Sequence, residues 1–171
     1  MVAAPDTRAS EQECAPDVAR LALIPPGYRC VPAGDCPRST DAPGSTAAWR
    51  WLPRGDIRAA VPIVIDLTVT LYERRSSALR AVTRPPRLPD SMLVRPLFLP
   101  RIGDESSAVR GDALEDGQRY ALYRVDCVRG LLVVTVSAVW RWPAGSPSWV
   151  YDRAGRVLDA LAGVPDALVR T

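Results

Sequence analysis

Lysine, asparagine and histidine are missing from these 171 residues, and all 22 basic side chains are arginine. Each absence closes a route. Without histidine the usual general base, the usual partner of a nucleophilic serine or cysteine, and the commonest zinc ligand are gone. Without lysine there is no Schiff-base chemistry. Any catalysis is left to carboxylates, serine, tyrosine, cysteine and arginine. Amides are nearly absent as well, only Gln12 and Gln118, while proline reaches 17. That balance suits a heat-adapted protein as well as a GC-rich coding sequence. No apolar run approaches the roughly 20 residues a membrane-spanning helix needs. The opening MVAAPDTRASEQE has neither a basic start nor an apolar stretch, so it carries no secretory signal pattern. Glycine-rich phosphate loops, Walker motifs and calcium loops of standard spacing do not occur, and no cofactor is expected.

What is present suffices for one domain. At this length a chain buries roughly 70% of its unfolded surface, and 47% of the residues are apolar. The net charge is +3, but the arginines are scattered among 19 acids. That pattern predicts a mixed solvated surface and no nucleic-acid partner. Residues 1–13 read as a flexible leader, and 14–171 as a single α+β domain.

Pro16 and Asp17 suit a first helical turn, Val18, Leu21 and Ala22 share a face, and Pro25, Pro26 and Gly27 end a short helix. From Cys30 to Pro62 the chain is rich in turn-formers, with one candidate strand at Ala47 to Leu52. Ile63, Ile65, Leu67, Val69 and Leu71 alternate with polar residues, the mark of a half-buried strand. Ser76 or Ser77 offers a cap for a short helix with Leu79 and Val82, which Pro85 and Pro86 terminate. A tight turn at Gly103 and Asp104 leads into a short strand. Near the end, Asp152 offers a cap for an amphipathic helix with Ala154, Val157, Leu158 and Leu161 inward and Gly163 as its stop.

Residues 119–138 carry the clearest hairpin. A two-residue turn at Arg129 and Gly130 sets Cys127 opposite Leu132, Val125 opposite Val134, Tyr123 opposite Val136 and Ala121 opposite Ala138. Arg124 then pairs with Thr135 and Leu122 with Ser137 on the other face. Cys127 points inward.

Cys14, Cys30, Cys36 and Cys127 have no paired spacing at two to four residues, which argues against a structural zinc site. Three disulfide pairings are open. The favoured one joins Cys30 to Cys36 and Cys14 to Cys127, stapling the first helix to the sheet and implying an address outside the cytoplasm. The alternative is four reduced thiols, with Cys127 a small core residue.

Four of the five tryptophans fall in a short echo, TAAWRWLP and SAVWRWP. In a strand, Trp49 and Trp51 share a face, as do Trp140 and Trp142. The hairpin register sets Trp140 beside Arg119. These five residues make a candidate ligand groove at the sheet end, and the alternative is that the tryptophans plug the core. Asp104 with Glu105 and Glu115 with Asp116 are the carboxylate pairs a hydrolase could use. Arg54-Gly55-Asp56 and Arg110-Gly111-Asp112 read as turns.

PPGY, the alternating strand, LPRIGDESSAVRG, YALYRVDCVRGLLVVTVS and the terminal helix together resemble secreted lipoprotein-type domains of GC-rich bacteria, Actinobacteria and Chloroflexota especially. Extracellular kinase-sensor and PsbP-like domains share this general shape. The resemblance implies an α+β fold outside the membrane, tethered by an anchor this chain lacks, with no assigned catalytic residues. It carries over Gly103, Asp104 and Gly130 as turn residues.

The expectation is therefore an α+β domain whose single antiparallel sheet has helices on one face and is stapled by disulfides. Its expected role is a non-enzymatic, secreted or cell-surface binding or sensor-type domain for a small ligand or protein partner. A structural subunit of an envelope or membrane-associated complex and a carboxylate-based hydrolase are the alternatives.

Overall fold

The computed structural model describes residues 16–32, 44–55, 60–86 and 88–162. Its elements run α1 (Pro16–Leu21), β1 (Tyr28–Pro32), β2 (Gly44–Pro53), β3 (Val64–Tyr72), α2 (Arg75–Thr83), β4 (Leu93–Pro96), β5 (Glu105–Glu115), β6 (Gln118–Arg129), β7 (Leu132–Arg141) and α3 (Pro147–Ala162). The seven strands form one antiparallel sheet in the order β1-β2-β3-β7-β6-β5-β4. The chain thus builds the sheet from both edges inward, and β3 meets β7 at the centre.

Alternation decides the two faces. Ile65, Leu67 and Val69 of β3, Val125 and Cys127 of β6, and Val134, Val136 and Ala138 of β7 are all buried on one face. Against them α3 lays Val150, Ala154, Val157, Leu158 and Leu161, with Val18 and Ala22 of the α1 segment joining the same core. Each buried aliphatic side chain contributes on the order of 1.5–3 kcal/mol, so this layer carries most of the stability. The opposite face is not left to water. There α2 packs Ala78 and Val82 on Val128 and Val133. The helices lie on both faces, not one, because Val128 and Val133 add an apolar patch to a face that is otherwise polar. On that polar remainder Arg124 grips Asp126 with Nε–Oδ2 at 2.9 Å and Nη2–Oδ1 at 2.8 Å, and Thr135 donates to the same carboxylate at 2.5 Å. Asp126 is nearly buried, so these bonds replace the water it has lost.

The β6–β7 hairpin keeps the expected faces but shifts by two residues. Its loop is Gly130 and Leu131, so Val125 pairs with Val136 and Tyr123 with Ala138. A shift of two preserves which side chains point inward. Gly130 takes φ 61°, and the side-chain oxygen of Asp104 accepts its amide, which fixes that residue as the first of the loop. Other differences are local. β1 is a strand that the turn-rich composition around it conceals. α2 begins at Arg75 with Arg74 as its cap and no side-chain cap bond, so Ser76 and Ser77 lie inside it. α3 begins at Pro147, five residues before Asp152, since proline suits a first helical position. Arg110-Gly111-Asp112 lies within β5 and is no turn. Asp56, Gly163 and the leader lie outside the described residues.

The staple between the first helix and the sheet is corrected by Cys127, which is a free thiol. α3 seals the inner face directly over it. Its Sγ stands 3.6 Å from the carbonyl of Val134 and 3.8 Å from that of Ala154, and none of the residue reaches solvent. There is no room for a second sulfur. No disulfide joins two of the described residues; Cys14 and Cys36 lie outside them, and Cys30 is disulfide-bonded to neither Cys127 nor any other described residue, its bond leading outside them. Among the described residues, the sheet is therefore held to α1 and α3 without a disulfide, chiefly by packing. The extracytoplasmic address, which leaned on the long staple, loses that support. No helix among the described residues is long and apolar enough to cross a membrane.

Burial, with the nearby Asp126 charge, pushes the Cys127 thiol from 9.0 up to about 12. A raised acid pKa contributes stability that is present below the unfolded value and is lost as pH rises through the folded one. Between pH 9 and about 12 this residue therefore lowers stability as the pH rises. Urea unfolding of Cys127→Ala and the parent across that range should show a shallower alkaline loss in the variant.

Candidate functional site

The expected tryptophan groove is dispersed by the sheet. Trp51 and Trp140 are each 2% exposed, and Trp140 is locked edge-on between Tyr123 at 5.5 Å and Trp149 at 5.4 Å. Trp49 is half-buried against the same core. Only Trp142 of the four echo residues is exposed, and the guanidinium of Arg110, not Arg119, stands 4.8 Å from its ring centre. Arg119 contributes its carbonyl to the Trp142 amide, and Trp140 pairs with Ala121. The echo residues thus mostly fill the core.

A different concavity lies across the middle of α3. It starts from the turn ahead of β5. Gly103 takes φ +70°, and a Cβ there would collide with the Val128 carbonyl oxygen, so only glycine fits. Asp104 follows, its amide donating to Val128 O at 2.7 Å and its carboxylate accepting from Gly130 N at 2.9 Å and from Arg75 at 3.2 Å. These bonds pin the segment carrying Arg101 and Ile102 onto the tip of the β6–β7 hairpin. Arg129, beside that tip, reaches Asp159 of α3 at 2.8 Å.

The second wall is the end of α1. Leu23 N bonds Arg20 O at 3.1 Å and Ile24 N bonds Ala19 O at 3.0 Å, the paired bonds of a Schellman ending. That ending places Leu23 at φ +50°, where glycine is the usual residue and a leucine costs about 1–2 kcal/mol. Leu23 O in turn accepts from Arg153 at 3.0 Å. The Arg153 guanidinium lies 3.4 Å from the Trp149 ring centre and donates to Trp149 O at 3.0 Å. Burial lowers the Arg153 pKa from its ordinary value, with Asp152 acting the other way and Arg156 adding to the fall.

Between these walls is an open groove of about 600 Å³. Arg101, Arg129, Arg153 and Arg156 line it against Asp152 and Asp159, a net charge of +2. Arg129 and Arg153 are committed to the bonds above. Arg101 and Arg156, from two different walls, make no hydrogen bond or ion pair within the described residues. The floor holds Gly155, although glycine inside a helix costs about 1 kcal/mol relative to alanine. Packing does not demand it, since a Cβ there would meet nothing nearer than Ile102 at 3.8 Å. A smaller hollow of about 360 Å³, edged by Leu21 and Ala160, adjoins across Arg156 and Asp159.

No protein-family model matches this chain, and no curated protein matches it. Among the described residues no cluster of acids and cysteines could hold a metal ion. Of the expected carboxylates, Asp104 serves the turn, Glu105 accepts the Ser106 amide, and Glu115 and Asp116 lie at the exposed β5–β6 turn. The groove residues escape a reading of the sequence because the apolar stripe of α3 is its dominant pattern. An isolated glycine beside that stripe, in the run Arg153-Ala154-Gly155-Arg156, is the signal that points to them.

Asp104→Ala should leave the Gly130 amide without its acceptor and cost about 1–2 kcal/mol. Amide hydrogen exchange should then quicken at Gly130 and in residues 101–104, while the core of β3 keeps its protection.

Proposed function

We propose that this chain is a non-enzymatic binding domain that takes an anionic ligand in the groove between α3, the end of α1 and the 101–104 segment. One observation carries the reading: Arg101 and Arg156 both line one concavity without any partner among the described residues. Guanidinium forks match carboxylate and phosphate oxygens in pairs, and a net positive groove draws such ions in. Arg129 and Arg153 contribute field while holding the walls. Of the two groove acids, Asp159 is tied to Arg129 at 2.8 Å, a structural use of its carboxylate.

The alternative of a subunit in a larger assembly is favoured by the outer edge of the sheet, where Leu93, Val94 and Phe98 are 57%, 41% and 97% exposed. Arg95 and Pro96 on the same edge discourage strand addition, so the groove is the better-supported site.

Titration of the protein with inorganic phosphate and with acetate at low ionic strength, followed by amide chemical shifts, tests the proposal. Shifts should concentrate at residues 101–104 and 151–159 and weaken with salt. Arg101→Ala and Arg156→Ala should each weaken binding about tenfold, since a charge-assisted bond contributes roughly 1.5–3 kcal/mol. Arg95→Ala should change nothing. Equal effects at Arg95, or shifts spread over the whole surface, would refute the site.

A further inference from the structure

Two groove residues stand against the local preference of the backbone that carries them. Leu23 occupies a left-handed position that favours glycine, and Gly155 occupies a helix interior that favours alanine. Neither is demanded by the buried core. Leu23 is 38% exposed and lies outside that core, and the space beside Gly155 would accept a methyl group. Interchanged preferences at two unconnected sites are rare in a stable fold, and they cluster where function overrides local stability. Both line the same concavity, one as an apolar wall and the other as its floor.

We infer that the ligand is a compact amphiphilic anion, an oxyanion head bearing an apolar body. The head meets Arg101 and Arg156, and the body lies over Gly155 between Leu23 and Ile102. Leu23 supplies apolar surface where glycine would supply none, and Gly155 keeps the floor low enough for the body to reach Ile102. Tyr151, on the same lining, offers a further apolar face with a polar tip. A volume of about 600 Å³ suits a ligand of this size. The inference rests on the anion-binding reading above and names its ligand class.

Paired titrations separate the two. Phenylacetate is compared with acetate, and phenyl phosphate with inorganic phosphate, so that the two pairs also distinguish a carboxylate head from a phosphate head. The phenyl-bearing member of at least one pair should bind about tenfold more tightly than its bare counterpart. Leu23→Gly and Gly155→Ala should each raise Tm by about 2–4 °C while reducing that preference about threefold or more, with binding of the bare ion little changed. Failure of every ion to bind would remove the anion site itself. Binding of the bare ions with no phenyl preference in either pair, or a preference that survives both substitutions, would overturn this inference and leave the anion site standing. A fall in Tm in both variants would also overturn it, since it would show the two residues to be structural requirements.

Discussion

The carboxylate of Asp104 accepts the Gly130 amide while the Asp104 amide donates to Val128 O, and this pair of bonds joins an irregular segment to the most regular part of the fold. Without it, residues 97–104 would be a loop running beside the sheet. With it, the loop acquires the rigidity of the β6–β7 hairpin, and Arg101 and Ile102 acquire fixed positions opposite α3. Gly103 makes the approach possible by having no side chain to collide with Val128 O or Leu158. The groove therefore depends on a hydrogen-bonded turn more than on any feature of its own lining.

The same hairpin sets the second constraint. Cys127 and Val134 form the floor on which Ala154 of α3 rests, and the small volumes of cysteine and alanine let the helix backbone come close enough for Cys127 Sγ to lie 3.8 Å from Ala154 O. One residue further along α3, Gly155 lines the groove beside Ile102. A larger side chain at Cys127 would lift α3 and change the groove without touching its lining.

Period-two alternation makes β3, β6 and β7 legible, because burial of a whole face punishes a one-residue slip. It cannot fix the loop of the hairpin, since a two-residue shift leaves every inward side chain inward. The deciding contact, Asp104 to Gly130, spans 26 residues. The apolar stripe of α3 is legible for the same reason as the strands, whereas its start is masked by the attraction of Asp152 as a cap over Pro147. Asp116-Gly117, which makes the β5–β6 turn with φ 49° and 76°, is a readable hairpin signal hidden behind the resemblance of Glu115 and Asp116 to a carboxylate pair. The long sulfur staple fails because spacing in sequence says nothing about what already covers a thiol. The groove is the least legible feature. Its lining comes from four separate parts of the chain, and its strained leucine can be recognised only from a backbone angle.

A chain without lysine must use arginine for every cationic role, and the structure shows how those roles divide. Arg50 with Asp66, Arg110 with Asp112, Arg124 with Asp126 and Arg129 with Asp159 are paired across or along the sheet and its neighbouring helix. Arg153 serves as a crosspiece between α1 and α3, its planar group stacked on Trp149 while two carbonyls accept its donors. An ammonium could not replace it there, because stacking and a fixed fork of donors are properties of the guanidinium alone. Surface pairs of this kind add little stability individually, so their chief effect is to use up charge locally. Where that pairing stops, the remaining charge becomes available to a ligand. Within the groove it stops at Arg101 and Arg156, brought there by a turn and a helix that have independent structural reasons for being where they are.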